Sequence, residues 1–349
     1  MKIVAGLNLN SIKPEVWDAS SSSYYLARLQ TVMVSYADFH QSPTRHRRAM
    51  DEGLHTSLNI PKYVKIYLDN GAFKFSRAGV EVQHEDYQTF VKRAQPDWYV
   101  IPQDYIPTPQ MNSNEQLKCL KQTMEVNRNY SHDGYVPVLH ISRHLDKYLR
   151  QFEENEQLQA KMVYAIGGIV PNLLRAPKSM GYQEVLSKVH QVREKFKDRK
   201  LHLFGVGGTA TLHVAALLRM DSVDSVGWRV RAARGLVQLP GIGDRAVADL
   251  GNWKVREPNQ QELEKLKACQ CPACQKHGLA GLKKNRTFGF CNRATHNLWT
   301  LLEENRMIQE HLADGTYEEW YKEHLHNSTY RPLIDRIVEQ EFGAEPTKE

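Results

Sequence analysis

The residues with the most evident chemistry are a run of thiols, Cys269-Gln-Cys271-Pro-Ala-Cys274, followed by Thr295-His296-Asn297-Leu298, with 21 residues between the third thiol and the histidine. Thiolates are soft and anionic and suit zinc. Three of them with one imidazole close a tetrahedral shell and leave no position for water, which marks a structural ion and not a catalytic one. Cys269, Cys271, Cys274 and His296 are the candidate ligands, with Cys291 and His277 as rivals for the fourth place. Five cysteines, four of them in one short stretch, do not make a disulfide framework. A second set consists of acids and small residues that directly follow short apolar runs: Asp69-Asn70-Gly71, Gln103-Asp104, His140, Gly167-Gly168, Gly205-Val206-Gly207 and Asp224-Ser225. Taken singly, each is as well explained as a cap or turn residue. Gathered in one pocket, carboxylates do acid–base and nucleophilic work.

The apolar runs that would position them are Lys2–Leu7, Thr31–Tyr36, Lys65–Leu68, Trp98–Ile101, Val136–Ile141, Met162–Ile166, Leu201–Val206 and Ser222–Val226, eight expected strands. Helix-like stretches separate several of them: Glu115–Asn127, Leu145–Glu156, Tyr182–Phe196 and Thr211–Met220. Alternation of this kind predicts a parallel sheet, most economically a (β/α)8 barrel, although a doubly wound open sheet gives nearly the same pattern. In a barrel the strand ends converge on one mouth, which would collect Asp69, Asp104, His140 and Asp224. From Arg234 the sequence turns rich in Gly, Pro and charge before the thiol cluster. The expected plan is a barrel core over 1–235, a zinc-binding subdomain with closing helices over 236–330 and a tail over 331–349.

Composition narrows the class. With 349 residues, 41% hydrophobic and 25% charged, the chain can bury a sizeable core. No run approaches the roughly 18 apolar residues of a membrane helix and the start is unlike a secretory signal, so a cytoplasmic protein without membrane partners is expected. Net charge is +6, and its placement says more than its size. Lys265 to Arg293 holds seven Lys or Arg, among them Lys283, Lys284 and Arg286, and no acid, while Arg229, Arg231 and Arg234 follow Asp224. Such stripes neutralise phosphates, so a nucleic-acid partner is expected. Gly205-Val-Gly207-Gly-Thr-Ala210 fits a dinucleotide-binding turn, but it falls late in the chain and leaves the thiol cluster unexplained.

The thiol run followed by Thr-x-His-Asn-Leu resembles the zinc site of the tRNA-guanine transglycosylase superfamily, and further landmarks follow in the same order. Tyr164-Ala-Ile-Gly-Gly168-Ile169 is similar to that family's Tyr-Ala-Ile-Gly-Gly-Leu segment, and Phe204-Gly-Val-Gly207 to its Met-Gly-Val-Gly. Leu68-Asp69-Asn70-Gly71-Ala72-Phe73 looks like its Asp-Ser-Gly-Gly-Phe, and Asp221-Ser-Val-Asp224 like its Asp-x-x-Asp. The resemblance implies a (β/α)8 barrel with a zinc subdomain that cuts guanine from nucleic acid and joins another base at the same anomeric carbon. It implies Asp224 as nucleophile, with Asp221 the rival, and Asp69 as acid/base. It implies Asp104 and the Gly168-Ile169 backbone as readers of the base, with Phe73 stacked on it; Gly167 and His140 join the expected base-binding residues from their places at the strand ends. The departures at Asn70, at Leu139-His140 and at Ser225-Val-Gly-Trp228-Arg229 resemble the family's DNA branch, which inserts a 7-deazaguanine such as preQ0 into DNA. The expectation is therefore exchange in DNA, with a possible helper protein to open the duplex. Exchange in tRNA is the alternative, and a non-catalytic nucleic-acid-binding subunit a third reading.

Overall fold

The computed structural model describes residues 1–342 apart from 131, 174–175, 252–253 and 327. Eight parallel strands form one sheet: β1 Lys2–Gly6, β2 Thr31–Ser35, β3 Lys65–Asp69, β4 Trp98–Tyr99, β5 Val138–His140, β6 Val163–Gly167, β7 Lys200–Leu203 and β8 Ser222–Ser225. Their order runs β4-β3-β2-β1-β8-β7-β6-β5, and a parallel bridge from Val100 to Val136 joins the two ends. First strand beside last, and fourth beside fifth, is a closed barrel and not an open doubly wound sheet.

β4 and β5 are shorter than their apolar runs because Pro102 follows one and Pro137 lies inside the other. A proline has no N–H to give to the ladder; the Pro137 carbonyl still accepts from Ala165.

Strand period two sends Val32, Val34, Ile66 and Leu68, all buried, against the surrounding helices. The alternate positions fill the barrel. There Tyr67 stacks on Trp98 at 4.6 Å, and His202 lies 5.4 Å from Trp98 and 4.7 Å from Phe204, centroid to centroid. The same parity that places Tyr67 and Ser222 inside places Asp69 and Asp224, two residues on, at the inner rim of the C-terminal mouth.

Beyond the barrel, β9 Leu236–Leu239 and β10 Gly243–Ala246 form an antiparallel hairpin, so Leu239–Asp244 is a hairpin turn. The long helix Arg286–Ala313 packs on the helices Gly227–Ala233 and Thr209–Leu217 and on β9. The stretch expected as a tail departs from that reading. Arg331–Phe342 is helical, with Leu333, Ile334, Ile337 and Val338 buried in the main core against Thr209–Leu217. Residues 343–349 lie outside the described residues. No helix among the described residues is long and apolar enough to cross a membrane.

Candidate active site and metal centre

Asp69 ends β3. Its Oδ2 accepts from the Ser35 hydroxyl on the neighbouring strand and from the Gly71 N–H, each at 3.0 Å. These donors favour the charged form but are outweighed. Burial first, then the negative charges of Asp104 and Asp224, push the carboxyl up to about 7. The charges of Asp104 and Asp224 thus reach Asp69, whose carboxyl holds its proton toward neutral pH.

Asp104 is buried, and one of its oxygens is hydrogen-bonded. Asn70 Nδ2 donates to Oδ1 at 2.7 Å and also to the Ile101 carbonyl at 2.8 Å. His140 Nε2 lies 2.8 Å from Oδ2. His140 is 1% exposed, and although its Nε2 stands close to Oδ2, neither ring nitrogen makes a hydrogen bond among the described residues, so the contact between the two side chains is electrostatic. Gly167, its partner across β5 and β6, makes room for the ring, since a Cβ there would stand 2.7 Å from His140 Nδ1. Each Asp104 oxygen keeps a second lone pair for a base. Gly168 follows at the strand end, and Ile169 after it is buried. Phe73 stands 56% exposed on the helix Ala72–Ala78, directly after the Asp69 turn, with the Arg77 guanidinium 4.5 Å from its ring centre.

Asp224 lies beside an open cleft of about 700 Å³ shared with the Gly205–Thr209 loop, Arg231, Asp244 and Tyr330. The Gly205 N–H donates to its Oδ1 at 2.6 Å. Gly207 lets that loop lie on β8: a Cβ would fall 1.9 Å from Ser225 Cβ. The rival acid, Asp221, sits at the opposite end of β8, where it accepts from the Leu201 N–H at 2.8 Å and pairs with Arg193 at 3.2 Å. The sequence reading missed His202, whose Nε2 is 3.6 Å from Asp224 Oδ1, and the role of Asn70.

The expected phosphate contacts divide. Arg231 lines the cleft, with Nε 2.7 Å from Asp244 Oδ1, and Arg234 lines it too. Arg229 is a correction: it is 5% exposed, donates to the Ser11 carbonyl, and lies against Trp228 and Phe290, so it holds the core and not a phosphate. Lys283, Lys284 and Arg286 are exposed, next to Phe288, an exposed aromatic that the charge count did not single out.

Cys269, Cys271, Cys274 and His296 converge in the interior. His296 Nδ1 is 3.3, 3.8 and 3.4 Å from the three sulfurs in turn. Its Nε2 lies 2.8 Å from the Gln238 carbonyl on β9; donating there, it leaves Nδ1 unprotonated and able to ligate. This donor set could hold a metal ion and fits zinc. His277 packs instead against Phe288 and Tyr24, and neither His277 nor Cys291 belongs to the cluster. A second group, His213, Glu304 and His324, has both Nε2 atoms 2.9 and 2.7 Å from one carboxylate oxygen, the spacing of hydrogen bonds.

A parallel eight-stranded barrel with acids at its C-terminal rim and a Cys3His group beside it defines a class of transglycosylase-like barrels. Residues 19–330 match the family model described as queuine tRNA-ribosyltransferase, and the chain belongs to that family. It is similar to three archaeal proteins named tRNA-guanine(15) transglycosylase. That of Methanocaldococcus jannaschii is 26% identical over 81% of this chain and 42% of its own length. That of Methanosarcina mazei is 25% identical over 76% and 51%. That of Methanopyrus kandleri is 27% identical over 77% and 55%. The chain therefore spans about half the length of these relatives.

Proposed function

We propose that this protein exchanges a guanine in nucleic acid for another base by double displacement at the anomeric carbon. The reading is carried by an anchored carboxylate, Asp224, whose charge reaches a second acid, Asp69, that keeps its proton near neutral pH. Asp224 attacks the anomeric carbon as the bond from that carbon to the guanine nitrogen breaks. The bonding pair leaves with the guanine, which takes the Asp69 proton. The incoming base, a 7-deazaguanine, gives a proton to Asp69 and displaces Asp224 from the sugar. Asp104, fixed by Asn70, accepts from the polar edge of the base, the backbone of Gly167, Gly168 and Ile169 contacts its other side, and Phe73 stacks on its face.

The names of the relatives favour tRNA as the polynucleotide. DNA is the second reading, and it rests on the departures from the tRNA enzymes: one of them, Asn70, is the residue that anchors Asp104. Duplex DNA would require the base to be flipped out, with or without a helper protein. Arg231, Arg234, Lys283, Lys284 and Arg286 supply phosphate contacts in either case. Zinc on Cys269, Cys271, Cys274 and His296 is structural, since four protein ligands leave no open position.

Incubation with preQ0 and either tRNA or duplex DNA, followed by nucleoside mass spectrometry, tests the reading. Incorporation into one polymer identifies the substrate, and release of no guanine from either rejects base exchange. In the productive polymer, Asp224→Asn abolishes the covalent protein–nucleic acid adduct. An adduct that persists in this variant removes Asp224 from its role.

A further inference from the structure

Among the buried polar groups near the mouth, His202 is the one whose free nitrogen faces the proposed nucleophile. It lies inside the barrel on β7, fully buried, its ring among Tyr67, Trp98 and Phe204. Nδ1 is 2.9 Å from the Ser222 hydroxyl. Among the described residues Nε2 has no hydrogen-bond partner, and at 3.6 Å it faces Asp224 Oδ1. Ser222 and Asp224 stand two residues apart on β8, so the same strand face presents one partner to each ring nitrogen. When the serine hydroxyl donates to Nδ1, the ring proton sits on Nε2 and points at the carboxylate.

We propose that His202 is a positioning residue for Asp224: together with the Gly205 N–H it holds Oδ1, leaving Oδ2 as the oxygen that bonds the anomeric carbon. The inference rests on the base-exchange reading and names the working atom within it. In the first displacement the Oδ2–carbon bond forms as the carbon–guanine bond breaks, and Oδ1 becomes the carbonyl oxygen of the resulting ester. In the second, the incoming base bonds the carbon, the Oδ2–carbon bond breaks, and its electron pair returns to Asp224. Negative charge then spreads onto Oδ1, where two fixed donors stabilise it. Catalytic hydrogen bonds that are long in the free protein tighten as charge develops, so 3.6 Å is a starting distance. Resolution of the adduct is the step this arrangement speeds most.

The experiment traps the adduct on the productive polymer and chases it with free guanine. His202→Phe keeps an aromatic ring among Trp98 and Phe204 but removes the donor; resolution slows roughly 10- to 100-fold, the range for loss of one hydrogen bond to a charged group. KM for the nucleic acid stays within about twofold, because His202 touches no part of it. His202→Gln, whose amide N–H reaches the same point, resolves within about fivefold of the unmodified protein. His202→Asn, too short to reach Oδ1, is as slow as Phe and replaces that variant if it fails to fold. Resolution at the unmodified rate in the donorless variant overturns the proposal. So does a Gln variant as slow as Phe, because the ring shape and not the donor would then matter. Absence of any adduct in the unmodified protein is a different failure, that of base exchange itself.

Discussion

Asp69 has two good donors, from Ser35 and Gly71, which on an exposed acid would lower its pKa, yet two neighbouring acids and burial prevail. Between about pH 4 and 7 the folded protein keeps a proton on Asp69 that the unfolded chain releases, so this residue's contribution to stability falls as pH rises through that window. Asp69→Asn removes the penalty. It should raise Tm relative to the unmodified protein at pH 8 and raise it less, or not at all, at pH 5; equal shifts at both pH values would show that the acid is not perturbed. The same substitution should slow adduct formation by about 10² to 10⁴, the usual share of a general acid. In the unmodified protein, formation should decline above about pH 7 as the proton is lost. The three acids were legible in the sequence because each follows an apolar run, where a barrel places its chemistry. Asn70 and His202 were not, because their partners lie on other strands and no spacing along the chain encodes a contact between them. Arg229 misled for a related reason: its charge is visible in sequence, whereas Trp228 and Phe290 around it are a property of the packed core.

Loops and helices set how firmly those side chains are held. The hairpin β9–β10 is fastened from beneath, where His296 faces the Gln238 carbonyl, Asn297 Oδ1 accepts from the Gln238 N–H at 2.7 Å, and Glu304 Oε2 accepts from the Gly241 N–H at 3.1 Å. One helix, Arg286–Ala313, thus carries both a candidate zinc ligand and the buried acid that receives His213 and His324. Glu304→Gln sets an amide N–H against one of those donors and should cost about 2–3 kcal/mol in chemical denaturation; a change under about 0.5 kcal/mol would show that the network holds nothing together. Burial lowers the pKa of His213, and its two histidine partners lower that of Glu304, so the unfolded chain binds more protons at both and stability falls as pH drops below about 6.5. Metal analysis should find one equivalent of zinc, lost in Cys271→Ser along with cooperative melting of the hairpin; full retention would exclude this ligand set. The thiol spacing made the Cys3His group legible without the fold. The apolar spacing of Leu333, Ile334, Ile337 and Val338 is that of a helix, but what buries that face is the helix Thr209–Leu217, more than a hundred residues earlier in the chain.

For the molecule as a whole, strand and helix alternation gave eight strands close to their observed bounds, yet it could not separate a barrel from an open sheet. That choice is made by two long-range pairings, β1 with β8 and Val100 with Val136, which depend on curvature built up over the entire sheet. Charge has a similar division between what is local and what is global. A basic stripe is visible in sequence, but only the fold distinguishes the cations that meet solvent from those inside. Lys283, Lys284 and Arg286 are exposed beside Phe288, whereas Arg229 and Arg293 are spent on carbonyls of the protein itself. If the exposed three each neutralise a phosphate, replacing all three by Ala should reduce the slope of log affinity against log salt by about 2 to 3, since each contact releases roughly 0.7 to 0.9 of a counterion. Arg229→Ala should leave that slope unchanged and lower Tm instead, because its loss strips a carbonyl of its donor and two aromatic rings of their neighbour. Binding titrations at 50 to 300 mM salt on these two variants separate the roles. A slope unaltered by the triple substitution would place the polynucleotide on another face of the barrel, with Arg231 and Arg234 at the cleft as the remaining cations beside Asp224.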